Sequence, residues 1–333
     1  MKVEPLLARK RSFKIPNFGE LHTPRVVPSF SSKGFSELKK YVEHAKPIIS
    51  NEILVSAFDL ELKAITAKDA SYAEFIILDS GGYETSTYSE LSEIYNYEYV
   101  KTEWTRKKHQ KALENWASDP KTKPTIAVSY DHEKDRNSLE KQIKEAKLLF
   151  KKFPQFGSNF LVKPETPKQK YIQIDNLIRL VHDLASFDII GLTEKELGDS
   201  FKARILNIAK LRQAFDKAGL KKPIHIFGSL DPISTPLYFM AGADIFDGLT
   251  WLRFAYIDGM AVYQHNGLAL GNGGLSVKYT EMGKTLMQSN WLFLSELQMN
   301  MERFLHTGNV AEFKSHLTLF EDANTLLKGA MEA

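Results

Sequence analysis

Short uninterrupted apolar runs punctuate the chain: Phe75–Leu78 (FIIL), Thr125–Ser129 (TIAVS), Asn159–Val162 (NFLV), Asp188–Leu192 (DIIGL), Pro223–Phe227 (PIHIF) and Ala243–Phe246 (ADIF). Runs without polar alternation suit strands covered on both faces, as in a parallel sheet. Arg25–Phe30 (RVVPSF) and Pro47–Val55 (PIISNEILV) supply two further candidates. Helical spacing fills the intervals. Ser138–Phe153 sets Leu139, Ile143, Ala146, Leu149 and Phe150 on one side, with lysines between them. Lys168–Ser186 repeats the pattern through Ile172, Ile174, Leu177, Leu180, Val181 and Leu184, and Ser200–Gly219 runs from a serine cap to a terminal glycine. The alternation from about Phe75 to Asp247 predicts βαβ units around one parallel sheet. Beyond it, Leu252–Lys278 reads as irregular and glycine-rich. Two amphipathic helices then close the chain. Asn290–His306 carries Trp291, Leu294, Leu297, Met301, Phe304 and Leu305 and stops at Gly308; Asn309 caps a second with Phe313, Leu317 and Phe320 on one face.

The polar residues that follow these strands sharpen the prediction. Asp79 follows FIIL, Asp131 follows TIAVSY, Lys163-Pro164-Glu165 follows NFLV, Thr193-Glu194-Lys195-Glu196 follows DIIGL, Gly228-Ser229 follows PIHIF and Asp247 follows ADIF. Any one of these is also what a turn requires. Six in series predict the C-terminal mouth of a (β/α)8 TIM-type barrel, where such folds keep their chemistry. A doubly wound open sheet shares the alternation and is the structural alternative.

Composition narrows the class. Over 333 residues, 43% hydrophobic content supports a large core, and 26% charged residues is the balance of a soluble globular protein. Lys and Arg (44) barely exceed Asp and Glu (41), a net charge of +3, so any nucleic-acid contact must come from a local patch. The absence of cysteine excludes disulfides, thiolate zinc sites, iron–sulfur clusters and cysteine nucleophiles. The opening MKVEPLLARKRSFKIP lacks a secretory apolar core, and no apolar run reaches membrane-spanning length. The expectation is a soluble, cytoplasmic protein without a membrane partner.

Among motifs, Leu78-Asp79-Ser80-Gly81-Gly82-Tyr83 says most. A strand-end carboxylate followed by Ser-Gly-Gly lets the backbone turn tightly against a ligand, and a tyrosine there can stack on a planar ring; an ordinary Gly-Gly turn is the plain alternative. Asp244-Ile245-Phe246-Asp247 puts a second carboxylate at a later strand end, and two carboxylates at one mouth suit glycosidic-bond chemistry. Asp131-His132-Glu133-Lys134-Asp135 reads as a solvated loop rather than a metal site, because sequential ligands point different ways. The glycine-rich Gly267–Gly274 reads as a turn rather than a dinucleotide loop, and the nine histidines, lacking HxxxH or HExxH spacing, read as packing or surface residues.

These residues, taken in order, resemble the tRNA-guanine transglycosylases, the queuine and archaeosine base-exchange enzymes, over nearly the whole chain. Gly19–Pro28 is similar to the family's opening G-x-x-x-T-P-x-x-x-P, Asp79–Tyr83 matches D-S-G-G-[FY], and Gly191-Leu192 through Glu196 is similar to G-L-x-x-x-E. Gly242–Asp247 matches G-x-D-x-F-D, Arg253 stands at the arginine of the following P-T-R, and Asn290–Phe313 resembles the closing helix pair.

The resemblance implies one barrel domain over residues 1–333, with 252–278 in place of the family's zinc region and 289–330 as C-terminal helices. It implies Asp247 as the nucleophile that attacks C1′ and Asp79 as general acid or base. Tyr83 would stack on the base, Ser80, Gly81 and Gly82 would shape its pocket, Asp131, Gly191 and Leu192 would hydrogen-bond its edge, and Glu196 would buttress the Gly191–Leu192 backbone. The target nucleotide would leave its stack to react. Two departures set expectations of their own. With no cysteine, zinc and other cofactors are not expected. Lys163 stands where the family has a base-reading glutamine, which leaves the incoming base open between guanine and the 7-deazaguanines. Arg253 and Lys278 are the expected phosphate contacts. The polymer, tRNA or DNA, stays open, as does a homodimer. Two other classes remain: a non-catalytic partner subunit of such an enzyme, against which both retained carboxylates argue, and an unrelated barrel enzyme for a small phosphorylated ligand, for which Gly228-Ser229 is the candidate phosphate loop.

Overall fold

The structure, a computed structural model, describes residues 6–86, 102–271, 274 and 279–332. A hairpin, β1 (Ser12–Ile15) and β2 (Gly19–His22), precedes eight parallel strands: β3 (Arg25–Pro28), β4 (Glu52–Ser56), β5 (Phe75–Asp79), β6 (Thr125–Val128), β7 (Gly157–Val162), β8 (Ile189–Thr193), β9 (Ile224–Phe227) and β10 (Ile245–Gly248). The sheet runs β3-β10-β9-β8-β7-β6-β5-β4. Its ends meet where Ser29 bridges to Leu54 and the Phe30 N–H donates to the Leu54 carbonyl (3.0 Å). The protein is therefore an α/β (β/α)8 TIM-type barrel with C-terminal helices, and the open-sheet alternative fails at that seam.

The apolar runs are continuous because both strand faces are buried. Val27, Leu54, Ile77, Val128, Leu161 and Ile245 point into the barrel, while Val26, Ile53, Leu78, Ala127, Phe160 and Phe246 face the helices. Phe13 and Ile15 of the hairpin join the inner set and plug the N-terminal end. Below the strands, Asp244 accepts from Arg11 (3.0 Å), Arg212 (2.5 Å) and the Ile224 N–H (2.8 Å). The first aspartate of Gly242–Asp247 thus ties the barrel floor together.

The helices follow their caps. Ser138 accepts from the Lys141 N–H ahead of Leu139–Lys152, and Ser200 from the Ala203 N–H ahead of Phe201–Lys217. Lys168–Ser186 departs from expectation: a single turn and a half, Ile174–Arg179, gives way to a 3₁₀ segment, Val181–Ser186. The described part of Leu252–Lys278 carries more regular structure than its glycines suggest. It contains a hairpin, β11 (Phe254–Ile257) and β12 (Met260–Tyr263), and a helix, Gln264–Leu270, that includes Gly267. A Cβ on Gly267 would run into the Ala255 methyl, so this glycine serves close packing rather than a turn. The next helix begins earlier than predicted and spans Tyr279–Thr307. Asn290 on it donates to the Trp251 and Phe254 carbonyls (2.7 Å each) and accepts from the Tyr256 N–H (2.9 Å), tying the hairpin down. Asn309 caps the 3₁₀ turn Val310–Phe313 rather than the last helix, Leu317–Glu332. Among the described residues no helix is long and apolar enough to cross a membrane.

Candidate active site

Side chains two apart on a strand share a face. The parity that sends Val27, Ile77, Leu161 and Ile245 inward therefore sends Ser29, Asp79, Lys163 and Asp247 inward one step higher. Here the barrel interior turns from apolar to polar, and a cavity of about 540 Å³ opens at the C-terminal mouth. Of the residues selected from sequence, Asp79, Ser80, Gly82, Tyr83, Asp131, Lys163, Glu196, Asp247 and Arg253 line it. Gly81, Gly191 and Leu192 do not. Leu192 faces the helices, and Gly191 lies beneath the Phe227 ring, which a Cβ there would meet at 2.6 Å. Lys278 falls outside the described residues.

The Asp79–Tyr83 turn is shaped by its glycines. Gly81 adopts φ +85° and donates its N–H to Asp79 Oδ2 (3.2 Å). A Cβ on Gly82 would lie 2.6 Å from Asp131 Oδ2, so the bare position lets that carboxylate close in. Tyr83 accepts a hydrogen bond from Arg253 Nη2 at its hydroxyl (2.6 Å), and Lys33 Nζ sits 4.5 Å from its ring centre. Arg253 is 8% exposed and lines the cavity from within the fold.

Two electrostatic neighbourhoods face each other. On one wall Lys163 Nζ contacts Glu196 (2.6 Å) and Asp131 (3.2 Å), while Arg136 contacts Asp131 (2.5 Å) and Glu196 (3.6 Å). Burial alone would raise the Asp131 carboxyl, but Lys163 and Arg136 hold it below its ordinary value. Burial likewise opposes the Lys163 ammonium, yet Asp131 and Glu196 hold it above its ordinary value. Glu196 is engaged by these two cations. Arg136 was not singled out from sequence; it directly follows Asp131–Asp135, which reads there as a solvated loop.

The other wall carries the carboxyls of Asp79 and Glu84, with Asp59 fully buried outside the cavity lining. Glu84 accepts from Ser31 (2.5 Å) and Ser56 (2.9 Å), and Asp59 from the Ser32 N–H (2.9 Å) and hydroxyl. Burial first, then Glu84 and Asp247, pushes Asp79 up to about 8. Burial and Asp59 push Glu84 up to about 7, and burial pushes Asp59 up to about 6. Asp247 itself is 5% exposed; its Oδ2 accepts from Ser29 Oγ (2.6 Å) and its Oδ1 lies 3.1 Å from His225 Nε2. Ser29, Glu84 and His225 were missed by sequence reasoning. The inward parity of β3 and β9 was the available signal for Ser29 and His225.

The candidate phosphate loop is otherwise occupied. The Ser229 and Leu230 N–H groups donate to the Asp247 carbonyl (2.8 and 3.0 Å), and Ser229 Oγ donates to the Ile226 carbonyl (2.9 Å). Among the described residues no three His, Asp or Glu side chains gather as a metal site. No protein-family model and no curated protein matches the chain. The functional reading accordingly stands on the barrel fold and the side chains at its mouth.

Proposed function

We propose that the protein is a guanine transglycosylase, a pentosyltransferase exchanging guanine for a 7-deazaguanine in a nucleic acid, tRNA or DNA. One observation carries the reading: Asp79 and Asp247, from strands on different sides of the barrel, enter one cavity close enough to act on each other, in unlike surroundings. A carboxyl pushed up to about 8 by burial, beside a second one held in place by Ser29 and His225, suits a division of acid–base from nucleophilic work. In the proposed reaction an Asp247 oxygen forms a bond to C1′ as the C1′–N bond to guanine breaks. Asp79, holding a proton near neutral pH, delivers it to the departing base. The incoming base then gives its ring-nitrogen proton to Asp79, its nitrogen bonds C1′, and the Asp247 carboxylate is released. Asp131, Lys163 and Glu196 face this position and supply donors and acceptors for a base edge, with Tyr83 beside them.

The test is incorporation of radiolabelled guanine into bulk tRNA, single-stranded DNA or duplex DNA. Label entering one polymer identifies the substrate. Asp247→Ala and Asp247→Asn should lose both exchange and covalent trapping of the nucleic acid while remaining folded. Exchange at the wild-type rate by either variant would refute the assignment.

A further inference from the structure

One hydrogen-bonded line crosses the inner wall behind Asp247. Asn159 on β7 and His225 on β9 are fully buried. The Asn159 amide nitrogen lies 2.9 Å from His225 Nδ1, and His225 Nε2 lies 3.1 Å from Asp247 Oδ1 on β10. Strand β8 runs between β7 and β9, and Gly191 pairs with both Leu161 and His225 at the crossing. A Cβ on Gly191 would come within 2.8 Å of Asn159 Oδ1. The bare strand position is what allows Asn159 to reach across a whole strand to the imidazole. Phe227 stacks on that ring with centroids 3.9 Å apart and planes 27° apart, which fixes its plane.

An amide N–H aimed at Nδ1 needs a lone pair there, so the neutral ring carries its proton on Nε2, facing the carboxylate. Ser29 Oγ donates to the opposite oxygen. Both Asp247 oxygens are thus held, by Ser29 just beyond β3 and by His225 on β9. We propose that Asn159 and His225 are positioning residues for Asp247: Asn159 sets the His225 tautomer, and the Nε2–H fixes the carboxylate's orientation towards its target carbon. The consequence for turnover rests on the base-exchange reading; the tautomer does not. No proton passes through His225 in either half-reaction. Its N–H remains on the carboxylate while the O–C1′ bond forms, and strengthens as the electron pair returns to oxygen when that bond breaks.

The experiment is ¹⁵N–¹H correlation spectroscopy of the full chain with labelled histidine. The His225 ring is identified by its contacts to the Phe227 ring protons and by its loss in His225→Gln. A neutral ring protonated at Nε2 is the expected result, and a proton on Nδ1, or on both nitrogens throughout the neutral range, would overturn the proposal. Asn159→Asp, which offers an acceptor in place of the donor, should move the proton to Nδ1 or add a second. In guanine exchange that variant should lose roughly 10–100-fold in kcat, the usual effect of removing such a supporting partner, with KM for the nucleic acid unchanged. His225→Gln, which keeps an N–H, should retain more activity than His225→Phe. A raised KM at full kcat would show that the line serves binding and overturn the positioning role. If the wild type exchanges no base yet shows the Nε2–H ring, base exchange falls and the Asn159–His225–Asp247 line stands.

Discussion

Replacing Asp79 by asparagine should stabilise the protein at neutral pH. Asp79 is pushed up to about 8 from an ordinary value of 3.8, by burial first and then by Glu84 and Asp247. In the unfolded chain the same carboxyl ionises near pH 4. Between about pH 4 and pH 8 the folded state therefore holds a proton that the unfolded state has released, and stability falls as pH rises, by about 1.4 kcal/mol per pH unit. From pH 4 to pH 7 that is a ceiling of about 4 kcal/mol. The carboxyl opens on the cavity, and water there screens it, so about 1–3 kcal/mol is the expected size. Asparagine keeps the shape and an oxygen to accept the Gly81 N–H, but has no charge to bury. Urea unfolding of wild type and Asp79→Asn at a series of pH values reads this directly. The variant should lead at pH 7–8 and the gap should close towards pH 4. Glu84 and Asp59 titrate in both proteins and largely cancel. A gap that does not change with pH, or a variant less stable than wild type at pH 8, would refute the reasoning. The same variant should be inactive in base exchange, which marks the carboxyl as kept for its chemistry.

Asp244→Ala should cost about 3–5 kcal/mol in urea unfolding, because it strands Arg212 and Arg11 in the barrel floor. Lys163→Met should be destabilising by a similar route, leaving Asp131 and Glu196 to share Arg136, and should weaken binding of the free base; unchanged base affinity would remove Lys163 from the recognition wall. Because the chain has no cysteine, dialysis against a strong chelator should leave both the thermal unfolding midpoint and guanine exchange unchanged, and loss of both together with one released zinc per chain would contradict this.

The barrel was legible because buried parallel strands leave an unmistakable mark: Phe75–Leu78, Phe160–Val162 and Ile189–Leu192 have no polar position to confuse the period. The elements that escaped are those without that mark. Strands β1 and β2 are four residues each; β1 buries only Phe13 and Ile15, separated by exposed Lys14, and β2 is mostly exposed, so no apolar run announces them. The β11–β12 hairpin carried a signal that went unused. Asp258-Gly259 stands between Ala-Tyr-Ile and Met-Ala-Val, and both residues take positive φ, +50° and +76°, as a tight hairpin turn requires. At the site, Asp79, Asp131, Lys163 and Asp247 were readable because each follows a strand. Their partners were not. Ser29 meets Asp247 across 218 positions, Asn159 meets His225 across 66, and nothing local to either residue records the meeting. Arg136 has no strand before it to single it out and simply follows the charged run Glu133-Lys134-Asp135, whereas the fold turns it inward onto Asp131.

The contrast between the two cavity walls locates the chemistry better than either wall alone. Asp131 and Glu196 each contact both Lys163 and Arg136; against burial, the two cations hold Asp131 below its ordinary value, and the two acidic side chains hold Lys163 above its own. Asp131 and Lys163 therefore keep their charges near neutrality, and the cluster offers fixed donors and acceptors, which is what recognition needs. Asp79, Glu84 and Asp59 are held by hydroxyls and backbone amides, and burial and mutual repulsion bring them to about 8, 7 and 6. A core built only for stability would not gather three carboxyls in this way, since burying like charges is costly unless protons neutralise them. Groups that bind protons with that affinity release them over the pH range where a base must be protonated and an incoming base deprotonated. Under the proposed base exchange, recognition would fall to one wall and proton exchange to the other, and Asp247, held between Ser29 and His225, would form and break the bond to carbon.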